Sequence, residues 1–198
     1  MDSLFHFVFP IIAALAARIN IKHPIRTIFI SAFLTLLIDL DHFFGLERAT
    51  FHNIFITVLI PLVLLLISFQ LKLNRYFKGF FFLLLIFLSS HLFLDLFSFP
   101  AFGNYIGITE GEGVALFYPV INTHYSINFN VKIPLKTIFL PYMIEGYVIS
   151  SLGFGILVYS ILILVPCLFL DKIIQIAERK HEKFIKASRE FFNNLLRD

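Results

Sequence analysis

The sequence holds one cysteine, Cys167, among 198 residues. A lone thiol excludes an internal disulfide and leaves no thiolate set for a closed structural zinc site. Charge is nearly as scarce. Asp, Glu, Lys and Arg make up 15% of the chain and sum to a formal +3, against about 25% in soluble proteins. No internal repeat is visible, no linker divides the chain, and no nucleic-acid-binding module is recognisable. What fills the sequence instead is apolar: 59% of residues are hydrophobic and 27 are Phe. A water-soluble core of this length has no room for that much apolar surface, so a bilayer must be part of the solvent. The length suits one compact unit.

Spanning the hydrocarbon takes roughly 20 apolar residues as a helix, which places candidate spans at about 4–19, 27–45, 52–70, 79–99 and 144–170. Pro10 lies in the first. Gly146, Gly153, Gly155 and Pro166 lie in the last, which is expected to kink or break there. Arg18, Lys22 and Arg26 follow the first span; Lys72, Arg75 and Lys78 separate the third from the fourth; Lys172, Arg179, Lys180, Lys183, Lys186, Arg189 and Arg197 follow the fifth. Of the basic residues, only Arg48, Lys132 and Lys136 fall elsewhere. The positive-inside rule then puts the N-terminus outside and the C-terminus in the cytoplasm of an inner (plasma) membrane. The opening "MDSLFHFVFPIIAALAARIN" has an acidic start and its basic residues come after the apolar run, so it reads as a retained span rather than a cleaved signal.

The expected fold is therefore all-α: a polytopic, multi-pass membrane bundle of about five spans over 1–170, with an extracytoplasmic loop or hairpin over 100–136. Residues 121 to 133 alternate apolar and polar, a strand or hairpin signal, and such a segment is placed to act as a lid. A basic, amphipathic tail over 171–198 has Ile173, Ile174, Ala177, Phe184, Ile185, Phe191, Phe192, Leu195 and Leu196 at helical spacing, and suits either the anionic inner leaflet or another subunit.

Ionisable residues cluster by topology. In "LIDLDHFFG", residues 37 to 45, Asp39, Asp41 and His42 close the second span. His52 opens the third, His91 and Asp95 lie in the outer half of the fourth, and His6 is near the outer end of the first. All fall at one level of one leaflet. His91 and Asp95 are i,i+4 on one helix face. Asp39 and His42 are i,i+3, and Thr35 and Ser31 continue that stripe, while Asp41 points about 160° from Asp39 at ~100° per residue. His6 shares its face with Pro10, Ala13, Ala14 and Ala17, small residues that let helices approach closely.

An ionisable residue at the centre of a span costs ~2.5–3.5 kcal/mol even on lenient scales, so several unpaired ones would oppose insertion. A divalent cation resolves this. Mixed imidazole and carboxylate ligation suits zinc first, with manganese, iron or nickel as alternatives. Each fragment also has a plainer reading: "DLDH" as a helix cap at the interface, His91 and Asp95 as a helix pair, a lone His as a hydrogen-bonded contact. His23 and His181 read as solvated, and Glu145 as a cap at a helix start rather than a catalytic group. Glu110, Glu112 and His124 in the outer segment are candidate extra ligands that also read as loop residues.

"MDSLFH", "DLDH", "ERATFHN" and "HLFLD", in that order, resemble the YdjM-like inner-membrane proteins, described as membrane-bound metal-dependent hydrolases. "GVALFYP" is similar to that family's Gly-then-Leu-x-Pro stretch, and the resemblance covers residues 1 to about 120. Where the family has His, Gly and Ser, this chain has Glu47, Ala49 and Asn53; Arg48 and His52 are kept. The His-x-x-x-Asp pair is more loosely similar to zinc phospholipase C and single-strand nucleases. The resemblance implies a hydrolase, with metal held by Asp39, His52, His91 and Asp95 and with His6, Asp41 and His42 in or around the ligand set. Glu47 or His42 would carry a proton, and Arg48 would pair with a phosphate oxygen. A phosphoester in a membrane-lipid head group fits a site at that depth. Two other readings compete: a divalent-metal transporter, and a non-catalytic membrane protein whose polar cluster holds the bundle together or binds a partner.

Overall fold

The computed structural model describes residues 3–21, 23–40, 49–97, 105–136 and 143–195. Helix α1 is Ser3–Ala16 and α2 is Pro24–Leu36. A short 3-10 turn, 38–40, follows α2. A π-helical turn, Phe55–Leu59, runs directly into α3, Ile60–Gln70, and α4 is Arg75–Leu96. Three strands come next: β1 Tyr105–Val114, β2 Tyr125–Lys136 and β3 Met143–Ile149. Helix α5, Ser151–Leu195, ends the described chain.

Local chemistry sets several boundaries. Pro24 occupies the first turn of α2, where its missing N–H costs nothing. Asn74 caps α4 by accepting from the Phe77 N–H. Ser150 caps α5: its hydroxyl accepts from the Gly153 N–H and its carbonyl from Phe154. Asn130 on β2 then accepts both the N–H and the hydroxyl of Ser151, tying the sheet to the start of α5.

Helix α4 is the centre of the helical layer, flanked by α2, α3 and α5, with α1 between α2 and α5. The shared core joins Ala13 and Ala14 of α1, Ile28 and Ala32 of α2, Leu83 and Phe87 of α4, and Tyr159, Ile163 and Cys167 of α5. Ala14 and Ala32 are fully buried, as expected where small residues admit close helix contact. Helices α4 and α5 are antiparallel. Arg75 lies 2.7 Å from Asp171 and Lys78 2.6 Å from Glu178 at one end; Gly155 meets Phe97 at the other.

The strands form an antiparallel sheet in the order β1-β2-β3. It sits over the C-terminal end of α4, where Val114, Leu116 and Ile127 pack on Leu92, Leu96, Phe97 and Phe154. The Phe129 and Phe154 rings stack at 4.4 Å.

This corrects the expectation of an all-α bundle with five spans. The chain is mostly helical but carries a sheet, and among the described residues only α4 and α5 are long and apolar enough to cross a membrane. Helices form at every expected place, yet α1 has 14 residues and α2 has 13, about 21 and 20 Å at ~1.5 Å per residue, short of the ~30 Å hydrocarbon layer. Phe55–Gln70 is also short. Residues 143–149, assigned in part to the last span, are β3: the β-formers Ile144, Tyr147, Val148 and Ile149 make that run apolar without making it helical. No break occurs at the expected positions: α5 continues through Gly153, Gly155 and Pro166 and past residue 170, so the last span and the basic tail share one helix.

Candidate metal centre

Four segments converge where the sheet meets the helical layer. Asp39 stands in the 3-10 turn after α2, above the buried Ser31 and Thr35 of that helix. His52 stands in a bend folded around Asn53. The Asn53 amide donates to the carbonyls of Ala49 and Thr50, and its oxygen accepts from the Ile56 N–H, capping the π-helical turn. The Ile54 N–H donates to the Leu116 carbonyl at 2.9 Å, which fastens this bend to the β1–β2 connection. His91 and Asp95 project one turn apart from α4, and His6 comes from α1.

One ligand atom from each of Asp39, His52, His91 and Asp95 lies within 4.8 Å of the others. His52 Nε2 is 3.4 Å from Asp39 Oδ1 and 3.1 Å from Asp95 Oδ2. His91 Nε2 is 3.3 Å from the same two oxygens and 3.3 Å from His52 Nε2. For bonds of ~2.0–2.1 Å, the edge of a tetrahedron around zinc is about 3.3 Å. These five separations match that edge. Hydrogen bonding alone does not account for them: two Nε2 atoms in contact can share at most one proton, and each also faces two carboxylate oxygens.

Burial sharpens the case. The side chains of His52, His91 and Asp95 are 0–4% exposed, while Asp39 is 13% exposed and forms the open side. Two carboxylates and two neutral imidazoles leave two negative charges in a nearly dry site, which one divalent cation would cancel. Among the described residues the Nδ1 atom of His91 has no hydrogen-bond partner, so none of them fixes the tautomer that leaves a lone pair on Nε2. The four residues could hold a metal ion.

His6 sits just outside this group. Its Nε2 is 3.7 Å from Asp95 Oδ1, whereas His52 and His91 approach Oδ2, and its ring lies 3.9 Å from that of His91. Asp41, His42, Glu47 and Arg48 lie outside the described residues, as does the side chain of Glu145. Glu110 and Glu112 are exposed on β1 and, with His124, are not part of the cluster. His23 is exposed, as expected, but His181 is half-buried with its Nε2 enclosed.

Two contributors were not singled out from sequence. Asn53 shapes the bend that presents His52; its cue was an amide three residues before a helical N–H it could cap. Tyr159 is fully buried in α5, packs 6.0 Å from the His6 ring, and its hydroxyl has no hydrogen-bond partner among the described residues. Its cue was a lone phenol inside "GILVYSILILV".

Comparison of the chain with family models, with curated proteins and with solved structures finds no match. The class that fold and site define is a helical protein with two helices able to cross a membrane and a buried His/Asp group able to hold a cation.

Proposed function

We propose that the protein is a membrane-embedded, metal-dependent hydrolase acting on a phosphoester of a lipid head group at the outer face of the inner membrane. The observation that carries this reading is the set of five contacts of 3.1–3.4 Å among Asp39, His52, His91 and Asp95. The similarity of "DLDH" and "HLFLD" to the YdjM-like hydrolases supports the same assignment.

A membrane setting is supported by α4 and α5 and by the outward faces of the shorter helices. Ile12, Ile25, Phe33 and Leu66 are all at least 55% exposed, a disposition that suits lipid and not water. The basic residues gather at the end of the layer opposite the cluster, which favours cytoplasm there and the outer leaflet at the site.

Bound zinc, or manganese, iron or nickel in its place, would polarise the phosphoryl oxygen and acidify a water. Asp39, His52, His91 and Asp95 hold the cation and offset its charge. His6 positions Asp95 through the second carboxylate oxygen. The sheet and the Ile54–Leu116 bond close the site from above, so that water enters on the Asp39 side. Hydrolysis adds water at phosphorus as the bond to the leaving oxygen breaks, and that oxygen takes up a proton.

The test is elemental analysis of gently purified protein, paired with release of phosphorylated head group from phospholipid. About one divalent ion per chain and chelator-sensitive, zinc-restored turnover are expected. A preparation without stoichiometric metal would sink the reading. Metal uptake into proteoliposomes without hydrolysis would assign transport instead.

A further inference from the structure

An apolar groove of about 360 Å³ opens beside the cluster, between α2, the π-helical turn with α3, and α4. None of the four ligands lines it, but their neighbours in the chain do. Ile38 and Leu40 flank Asp39, the ligand on the open side, and Phe51 precedes His52; all three line the groove. Away from the cluster its walls continue with Leu34 on α2, Ile60 on α3 and Leu84 and Leu88 on α4. On each element these positions lie progressively farther from the ligand. Leu84 is about 10 Å from His91 along the axis of α4 at ~1.5 Å per residue. The groove thus runs lengthwise down the helical layer from the metal ligands, and every residue lining it is apolar.

We infer that this groove holds an acyl chain of the glycerophospholipid whose head group is hydrolysed at the cluster. The inference rests on the hydrolase reading for the identity of the reaction, and on the groove alone for the chain. Two features select this occupant. The groove is parallel to the helices, and so to the acyl chains of a bilayer the helices would cross. Its upper end, at Ile38 and Leu40, lies beside the partly exposed Asp39, so a lipid with its phosphate at the ligands has apolar surface along which to extend its tail. A free phosphate or a soluble phosphoester has no part that would use the groove.

The chain-length series tests this directly. Phosphatidylglycerols of increasing acyl length are offered to the purified, metal-loaded protein, and bound lipid is counted by native mass spectrometry. With short-chain lipids offered as monomers in water, a methylene buried in the groove contributes ~0.8 kcal/mol, so kcat/KM should rise about fourfold per added methylene until the groove is full. Leu34→Trp, which fills the groove from a half-buried wall, should abolish lipid retention and flatten the series while metal content stays at the wild-type level. Phe29→Trp, on the exposed outer face of α2, should retain lipid. Equal rates for short and long chains, or lipid retention unchanged in Leu34→Trp, would overturn the groove assignment. The two claims fail separately: lipid retained by the wild type and lost in Leu34→Trp, with no turnover of any phosphoester, would keep the groove and remove the hydrolase.

Discussion

Asp95 is the residue on which the site turns. One of its oxygens faces His6 and the other faces both His52 and His91, so it is in contact with three imidazoles. Asp95→Asn keeps the shape and removes the charge; bound metal should fall from about one per chain to background by elemental analysis, while the protein still inserts and unfolds cooperatively. His6→Ala is a different case. It removes a partner of Asp95 and leaves the four-ligand set whole, so affinity should weaken by roughly 10–100-fold without being abolished, as read by competition with a chelating dye. Complete loss of metal in His6→Ala would place His6 among the ligands. Much of this was legible in the sequence, because helical spacing is informative over one turn: His91 and Asp95 had to share a face, and Ser31, Thr35 and Asp39 had to share another. The bend at Asn53 was less legible. Its shape comes from three hydrogen bonds of one amide, which apolar periodicity does not register.

At the scale of elements, the site depends on how closely α5 approaches the end of α4. A Cβ added at Gly155 would lie 2.6 Å from the Cβ of Phe97 and 3.0 Å from its Cγ, atoms near the backbone that cannot swing aside. Alanine in place of glycine favours a helix by ~1 kcal/mol, but overpacking of this kind costs ~1–3 kcal/mol. Gly155→Ala should therefore be neutral to destabilising by about 2 kcal/mol in detergent unfolding, and a clear gain in stability would show that the contact yields. The same elements show where sequence reading stopped. Hydropathy sees runs of apolar residues and cannot tell a crossing helix from a short helix followed by a bend, which is why α1, α2 and Phe55–Gln70 read as spans. It also cannot separate an apolar strand from an apolar helix, so β3 reads as the start of α5. The Ser150–Ser151 pair between them is the available stop signal. Pro166 and two glycines likewise count against a helix locally, yet α5 continues past them with Ile163, Cys167 and Leu170 packed in the core.

For the molecule as a whole, a cation held by the cluster would make it a clasp as well as a site, since the four residues join the turn after α2, the bend before the π-helical turn, and α4. Without a cation, Asp39 and Asp95 share a nearly dry pocket. Saturation at 100 times Kd stabilises by ~2.7 kcal/mol, so chelation should lower Tm by about 5–10 °C for a chain of this size; an unchanged Tm would mean that no cation bridges these elements. Placement in the membrane is testable with equal economy. Helices α4 and α5 run antiparallel, with the sheet and cluster at one end and Lys72, Arg75, Lys78 and the basic part of α5 at the other. Crossing helices would put those ends on opposite sides, the basic end in the cytoplasm. Cys167 is the sole cysteine and is 1% exposed, so a Cys167→Ser background gives a clean reference. Glu112 on β1 and Glu182 on α5 are both exposed. In sealed vesicles, a membrane-impermeant maleimide should label Glu112→Cys only from the outer side and Glu182→Cys only from the cytoplasmic side. Labelling of both from one side would mean that the long helices lie along the membrane rather than through it, and the outer-leaflet placement of the site would fall with them.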